Sequence, residues 1–374
     1  MRVLHIITGL GLGGAEMMLL KLLQASDRSA AEHMVLTLTD LDVLAPDIRA
    51  LGVSVQSLGI SGVTSGLCGL WAASKLFGSF KPDVVMTWLH HADLFGVMLK
   101  CFYPSVPLVW NLRCSKLSPE DLPRSNIVLV RLLARLSFVP SVVVANAHVG
   151  MEEHIRVGYE PRRWLVLPNG FDTGEFAPDD LARQKIRDQL GLVESDFVVG
   201  MVGRYHRMKG FDLFAKAAGI AAQENTRLRF VLVGTDVSED NEELVKMFKA
   251  AGIGSRVLLL GQRRDIPAVM NGFDVLANTS TSEGFPNVVG EAMSCGLPCA
   301  VTDVGDSGVI VGHTGVVTPS GDAEALAKSW LDFATMGASD FFCLKASARQ
   351  RILDLYDISI VAHRYQGLFE NVAR

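Results

Sequence analysis

Cysteine is scarce and scattered: the six thiols of this 374-residue chain, Cys68, Cys101, Cys114, Cys295, Cys299 and Cys343, include no C-x2-C pair. That excludes a disulfide-stapled secreted domain and the usual zinc frameworks. Cys295 and Cys299 flank Gly-Leu-Pro with no histidine nearby, so they are expected to be small buried hydrophobes, and no metal site is expected. No signal peptide is expected either, because Met1-Arg2-Val3-Leu4-His5-Ile6 opens directly into a strand pattern. A reduced, cytosolic setting follows as the expectation.

Long uncharged apolar runs are absent too, which argues against a membrane span. The nearest run, 127–136, is broken by Arg131 and Arg135, about one helical turn apart. With Arg124 they line an apolar helix face, and peripheral contact with an anionic membrane through 124–138 is one expectation. A surface helix packed on its own domain is the other. No charge sign dominates: residues 1–168 hold 15 Lys+Arg against 13 Asp+Glu, and the remainder 20 against 27. Nothing in that distribution suggests a nucleic-acid groove.

What is present is an ordinary α/β composition, 49% apolar with 35 glycines, long enough for two domains. Apolar runs at 3–8, 33–39, 53–58, 83–88, 107–112, 141–145 and 164–167 alternate with helical patterns. They read as strands of a parallel sheet buried on both faces. After a polar stretch the rhythm restarts at 197–203, 228–234, 256–261, 273–277 and 298–302. Two Rossmann-like domains in tandem are expected, with ligand loops at the carboxyl ends of their strands. The domains are placed at 1–168, with a last helix at about 358–374, and at 169–357, joined by a linker near 168–195.

The most informative segment is Ser282-Glu283-Gly284-Phe285-Pro286-Asn287-Val288-Val289-Gly290-Glu291. Pro286 keeps Glu283 on a loop, whereas 288–295 can wind a helix that ends at Gly296-Leu297-Pro298. A loop running into a helix N-terminus offers unpaired N–H groups to an anion such as a nucleotide diphosphate. Carboxylates beside that anion are repelled by it and are better placed on hydroxyls, Glu283 on a sugar and Glu291 on a ribose. Upstream, Gly203-Arg204-Tyr205-His206-Arg207-Met208-Lys209-Gly210 leaves a strand and enters a helix. Arg204 can fork onto phosphate oxygens while Lys209 supplies a point charge, and together they can stand in for a divalent metal.

Two rival motifs compete. Gly9-Leu10-Gly11-Leu12-Gly13-Gly14 matches the dinucleotide fingerprint, but the acid it needs is poorly met by Asp40. An NAD-dependent oxidoreductase is therefore the alternative reading; otherwise Gly13 and Gly14 let backbone approach a donor's phosphate or sugar. Asp40-Leu41-Asp42 spells D-x-D, a metal motif of another transferase architecture, yet it is far in sequence from the glutamates. A non-catalytic nucleotide or sugar binder is the third class.

Gly203-Arg204 with Lys209-Gly210, Val231-Leu232-Val233-Gly234, Leu260-Gly261-Gln262-Arg263 and the Glu283 to Pro298 segment together resemble the retaining glycosyltransferases of family 4, which have the GT-B fold. Gly13-Gly14-Ala15-Glu16 and Asn169-Gly170-Phe171-Asp172 fit the same pattern, so nearly the whole chain is covered. The resemblance implies two Rossmann-like domains facing across a cleft, the second holding a UDP- or GDP-linked sugar and the first an acceptor. It implies a last helix that crosses back to the first domain. It assigns Arg204 and Lys209 to the diphosphate, Glu283 to the transferred sugar, Glu291 to the ribose and the backbone of Gly284, Phe285, Pro286 and Asn287 to the cradle, with Val288, Gly203, Gly234 and Arg263 also on the donor side. No metal cofactor is implied. The acceptor is expected to be a glycan, soluble or lipid-linked. One departure stands out: Arg113 occupies the position where many members carry a sugar-contacting histidine. Arginine cannot act as a base near neutral pH, so His90 and His91 are the substitutes, His91 preferred because Asp93 is placed to orient it.

Overall fold

The computed structural model describes residues 1–40, 43–115, 117 and 123–374. Asp42 of the D-x-D motif lies outside the described residues. The chain divides into two compact units, 1–170 with 358–374, and 171–357.

The first unit is built on seven parallel strands: β1 (Arg2–Ile7), β2 (Glu32–Thr37), β3 (Ser54–Ser57), β4 (Val84–Trp88), β5 (Leu108–Leu112), β6 (Val142–Ala145) and β7 (Trp164–Val166). Their order is β3-β2-β1-β4-β5-β6-β7, so the chain winds outward from β1, first one way and then the other. The central strands β4, β5 and β6 are buried at every residue. Burial on both faces is why they read as continuous apolar runs and not as alternating ones. One face is covered by the helices Gly14–Ala25 and Ala45–Ala50 and by the last helix, Ile358–Ala373. The other is covered by Val63–Phe80, His90–Phe102 and Arg124–Leu136. The last helix belongs to this unit because it buries Val361, Tyr365, Leu368 and Phe369 there. At about 1.5–3 kcal/mol for each large apolar side chain, that docking is worth several kcal/mol.

The second unit has six parallel strands: β8 (Phe197–Val202), β9 (Leu228–Val233), β10 (Val257–Leu259), β11 (Val275–Asn278), β12 (Cys299–Thr302) and β13 (Val316–Thr318), ordered β10-β9-β8-β11-β12-β13. The order turns about β8 as the first sheet turns about β1. The expected linker 168–195 contains a helix, Asp180–Gln189, fastened to this unit: Arg183 and Arg187 both pair with Asp274, at 2.6 and 3.3 Å. Cys295 and Cys299 are buried and reduced, and burial pushes the Cys295 thiol up to about 12. Among the described residues no helix is long and apolar enough to cross a membrane, and no three His, Cys, Asp or Glu side chains cluster as metal ligands.

Candidate active site

In the second unit β8 ends at Val202 and the chain turns through Gly203, an exposed Arg204 and a short 3-10 turn, Arg207–Lys209, into the helix Phe211–Glu224. Gly210 makes that junction with φ +67°, and a Cβ there would lie 2.0 Å from the Thr279 carbonyl. Only glycine fits both conditions. The turn is then pinned by the segment after β11: the Thr279 hydroxyl lies 2.9 Å from the Lys209 carbonyl, and Thr281 N–H donates to Met208 O at 2.9 Å. Gly234, at the end of β9, permits a similar close approach, since a Cβ would fall 2.0 Å from the Gly203 carbonyl.

Lys209 and Glu283, 74 residues apart, meet as an ion pair, Nζ to Oε1 at 2.6 Å. The buried Ser280 hydroxyl also donates to Glu283 Oε1 at 2.7 Å and lies 2.8 Å from Asn278 Oδ1. Glu283 is thus held through one oxygen by two donors, and among the described residues no hydrogen bond reaches its second carboxylate oxygen. The loop behind it is fixed by Asp306 N–H donating to Gly284 O at 2.9 Å. Phe285 stacks on Phe171 with centroids 6.1 Å apart, so its side chain supports the loop while its backbone leads to the helix Asn287–Ser294. Pro286 precedes the first turn, Asn287 is exposed, Val288 is partly buried against the core, and Glu291 stands half-buried on the second turn. Arg263 spends its side chain on Asp265, at 2.8 and 2.5 Å. Loop, turn and helix N-terminus therefore converge at the carboxyl ends of β8 and β11, an arrangement that can bind an anion beside hydroxyl groups.

In the first unit Gly13 precedes, and Gly14 opens, the helix after β1, and no Cβ added at Gly14 would touch anything within 4 Å. Asp40 accepts from the Ser57 hydroxyl at 2.6 Å, so the acid required by the dinucleotide reading is already engaged. The pairing of His91 with Asp93 is corrected by the structure. His91 is exposed, whereas Asp93 is fully buried and bound to the Thr87 hydroxyl at 2.5 Å. Desolvation raises the Asp93 carboxyl to about 8, so it is a neutral acid and not an orienting carboxylate. His90 is the histidine that makes a contact, its Nε2 lying 3.2 Å from His154 Nε2.

Arg113 is drawn inward. Its Nη1 donates to Asn169 Oδ1 at 2.5 Å, its Nη2 donates to the Tyr365 hydroxyl at 2.9 Å, and the guanidinium lies 4.9 Å over the Trp88 ring. It ties β5 to the end of this unit's first segment and to the last helix. Burial lowers its pKa from the ordinary arginine value. Thr279, Ser280 and Asn278, which the sequence reading passed over, carry the only signal available to it in the polar run Asn278-Thr279-Ser280-Thr281-Ser282 after a buried strand.

Known proteins share this organisation. Residues 12–175 match the model of Glycosyltransferase Family 4, and residues 196–335 that of Glycosyl transferases group 1. EpsF of Bacillus subtilis (strain 168), named as a glycosyltransferase, is 28% identical over 317 residues, 81% of this chain and 79% of that protein. An Escherichia coli protein, UDP-Gal:alpha-D-GlcNAc-diphosphoundecaprenol alpha-1,3-galactosyltransferase, is 37% identical over 158 residues, 41% of this chain and 40% of that one. Among solved structures, Anabaena HepE in complex with UDP has a TM-score of 0.84 at 24% identity, covering 99% of this chain and all of the other, and shares the fold. Two parallel Rossmann-like sheets, two family models that follow one another along the chain, and relatives that are transferases by name converge: this chain belongs to the family 4, group 1 glycosyltransferases and is a GT-B enzyme.

Proposed function

We propose that the chain transfers a hexose from a UDP- or GDP-linked donor to a hydroxyl of a lipid-linked or cell-surface glycan intermediate, with retention of anomeric configuration and without a metal. The observation that carries this reading is the Lys209–Glu283 pair, set by Ser280 beside the helix N-terminus at Asn287. In it, Arg204 and Lys209 stabilise the departing diphosphate, Glu283 holds sugar hydroxyls, Glu291 the ribose, and the backbone N–H groups of Gly284, Phe285, Asn287 and Val288 the phosphates. Catalysis then rests on positioning and on fixed charge aimed at the leaving group, whose phosphate accepts the acceptor's proton. The first unit receives the acceptor. HepE has been solved with UDP-glucose, and the E. coli relative is named for a diphosphoundecaprenol-linked acceptor; both support the reading.

A peripheral position on the inner face of the membrane completes the proposal. The helix Arg124–Leu136 exposes Arg124, Arg131 and Arg135 beside Val128 and Leu132, which are 68% and 42% exposed, with Phe138 following. Mixed basic and apolar side chains on one surface suit an anionic interface.

A thermal-shift panel of UDP-, GDP- and ADP-sugars in EDTA tests the donor. Stabilisation by one nucleotide class, unchanged when magnesium is added, is the expected result; protection by NADH alone would return the chain to the oxidoreductase reading. Incubating the best donor with membrane extract should move labelled sugar into the organic phase and leave protein on the membranes. Label confined to water-soluble glycan, with no protein on the membranes, would refute the lipid acceptor and the peripheral position.

A further inference from the structure

The two histidines of the first unit that meet, His90 and His154, have their ring protons assigned by what surrounds them. His154 is fully buried and its Nδ1 lies 2.7 Å from the Gly150 carbonyl, which can only accept. Nδ1 therefore carries the proton, and Nε2 of the neutral ring carries a lone pair. His90 Nε2 stands 3.2 Å from that lone pair and must donate to it, so the lone pair of His90 is on Nδ1. Among the described residues nothing hydrogen-bonds to His90 Nδ1, and it is not among the sealed, unsatisfied atoms of the interior. Two further observations point to a built site. Leu89, just before His90, is held at φ +73° and ψ 155°, a conformation a branched side chain rarely adopts. His154 is itself locked edge-on against Tyr159, with centroids 4.8 Å apart and planes at 87°. The backbone is strained to turn one imidazole onto another at the carboxyl end of β4, where the ligand loops of such a sheet lie.

We propose that His90 holds, through Nδ1, an acceptor hydroxyl next to the reacting one, with His154 as the positioning residue that holds the ring in that tautomer. This rests on the reading of the first unit as the acceptor side. Burial and its histidine neighbours keep His90 neutral down to about pH 3, so it orients a hydroxyl without removing its proton.

Two substitutions separate the nitrogens. His90→Gln keeps a donor near the Nε2 position and loses the acceptor at Nδ1; His90→Asn keeps an acceptor near the Nδ1 position. With the best nucleotide sugar of the panel, transfer to membrane extract should fall at least tenfold in His90→Gln and stay within about threefold in His90→Asn, while hydrolysis of the donor by water changes less than twofold in both. Equal loss of transfer in the two variants, no loss in either, or a parallel loss of hydrolysis overturns the proposal. Ring 15N shifts of histidine-labelled wild type should show His90 protonated at Nε2 and bare at Nδ1 from pH 8 to 5, and mixed tautomers in His154→Phe. A proton on Nδ1 overturns it independently. A wild type that neither transfers nor hydrolyses any donor sinks the transferase reading, and the shifts then decide the His90 assignment alone.

Discussion

Lys209→Ala is expected to lower turnover by about 30- to 1000-fold, the equivalent of about 2–4 kcal/mol of barrier, with the fold intact. Among the described residues the Nζ is the only cationic partner of Glu283, and it approaches from a turn pinned by Thr279 and Thr281. Removing it deletes a fixed positive charge where negative charge grows on the departing diphosphate, and frees the Glu283 carboxylate to repel that diphosphate. Lys209 is partly exposed at the end of its turn, so the core loses no packing when it is truncated. The expected signature is a fall in kcat with unchanged thermal unfolding of the free protein. Full turnover in the variant would remove Lys209 from the chemistry.

The second large effect is acid lability of the first unit. His5, His33, His90 and His154 lie in it, and desolvation depresses each: His33 and His154 to about 4, His90 to about 3, and His5 well below its ordinary value. They form two contacts, His5 Nε2 with His33 Nδ1 at 3.0 Å and His90 with His154, and neither contact has room for a second proton between its two ring nitrogens. A histidine whose folded pKa lies below its unfolded value near 6.5 binds its proton only on unfolding. Stability contributed by these four is therefore intact above about pH 6.5 and falls as pH drops toward 4. Asp93 acts in the opposite sense. Its folded pKa of about 8 is raised, so it favours the folded state most below its unfolded value near 4 and loses that contribution as pH rises toward 8. Four protons taken up on unfolding against one released leave a slope of about 3–4 kcal/mol per pH unit between pH 6 and 5. A small domain has only about 5–15 kcal/mol in total. Thermal unfolding followed by tryptophan fluorescence should show the transition of the unit containing Trp88 and Trp110 falling steeply from pH 6.5 to 5. A flat profile over that interval would show that these rings titrate normally and are not held neutral by burial.

The sheets were legible because burial on both faces writes a strand as an unbroken apolar run. Strand β13, three residues at a sheet edge with Val317 exposed, writes no such run and was missed. Lys209 and Glu283 were legible as motifs, and they meet because both follow central strands, β8 and β11, which are neighbours in the sheet. The support beneath them was not readable: Ser280 and Thr279 are ordinary polar residues until the turn they grip is in place. The histidine choice failed for a related reason. His90 and His91 are equivalent in sequence, and only the turn at Leu89 and the helix phase send one ring inward and leave the other in solvent. Asp93 looked like an orienting carboxylate, and its complete burial makes it a neutral acid. Arg113 looked like a ligand group, yet its partners, Asn169 and Tyr365, lie 56 and 252 residues away, beyond any local pattern.

In the proposed reaction the second unit holds the nucleotide diphosphate on the Lys209 turn and the Glu283 loop. Hydrogen–deuterium exchange with and without saturating UDP or GDP, in EDTA, tests it most directly. Slowed exchange is expected in 203–210 and 281–291, and it is lost in Lys209→Ala, whereas NAD would protect the glycine-rich turn 9–14 alone. Protection confined to 9–14, or a pattern in 203–210 and 281–291 that Lys209→Ala leaves untouched, would contradict it.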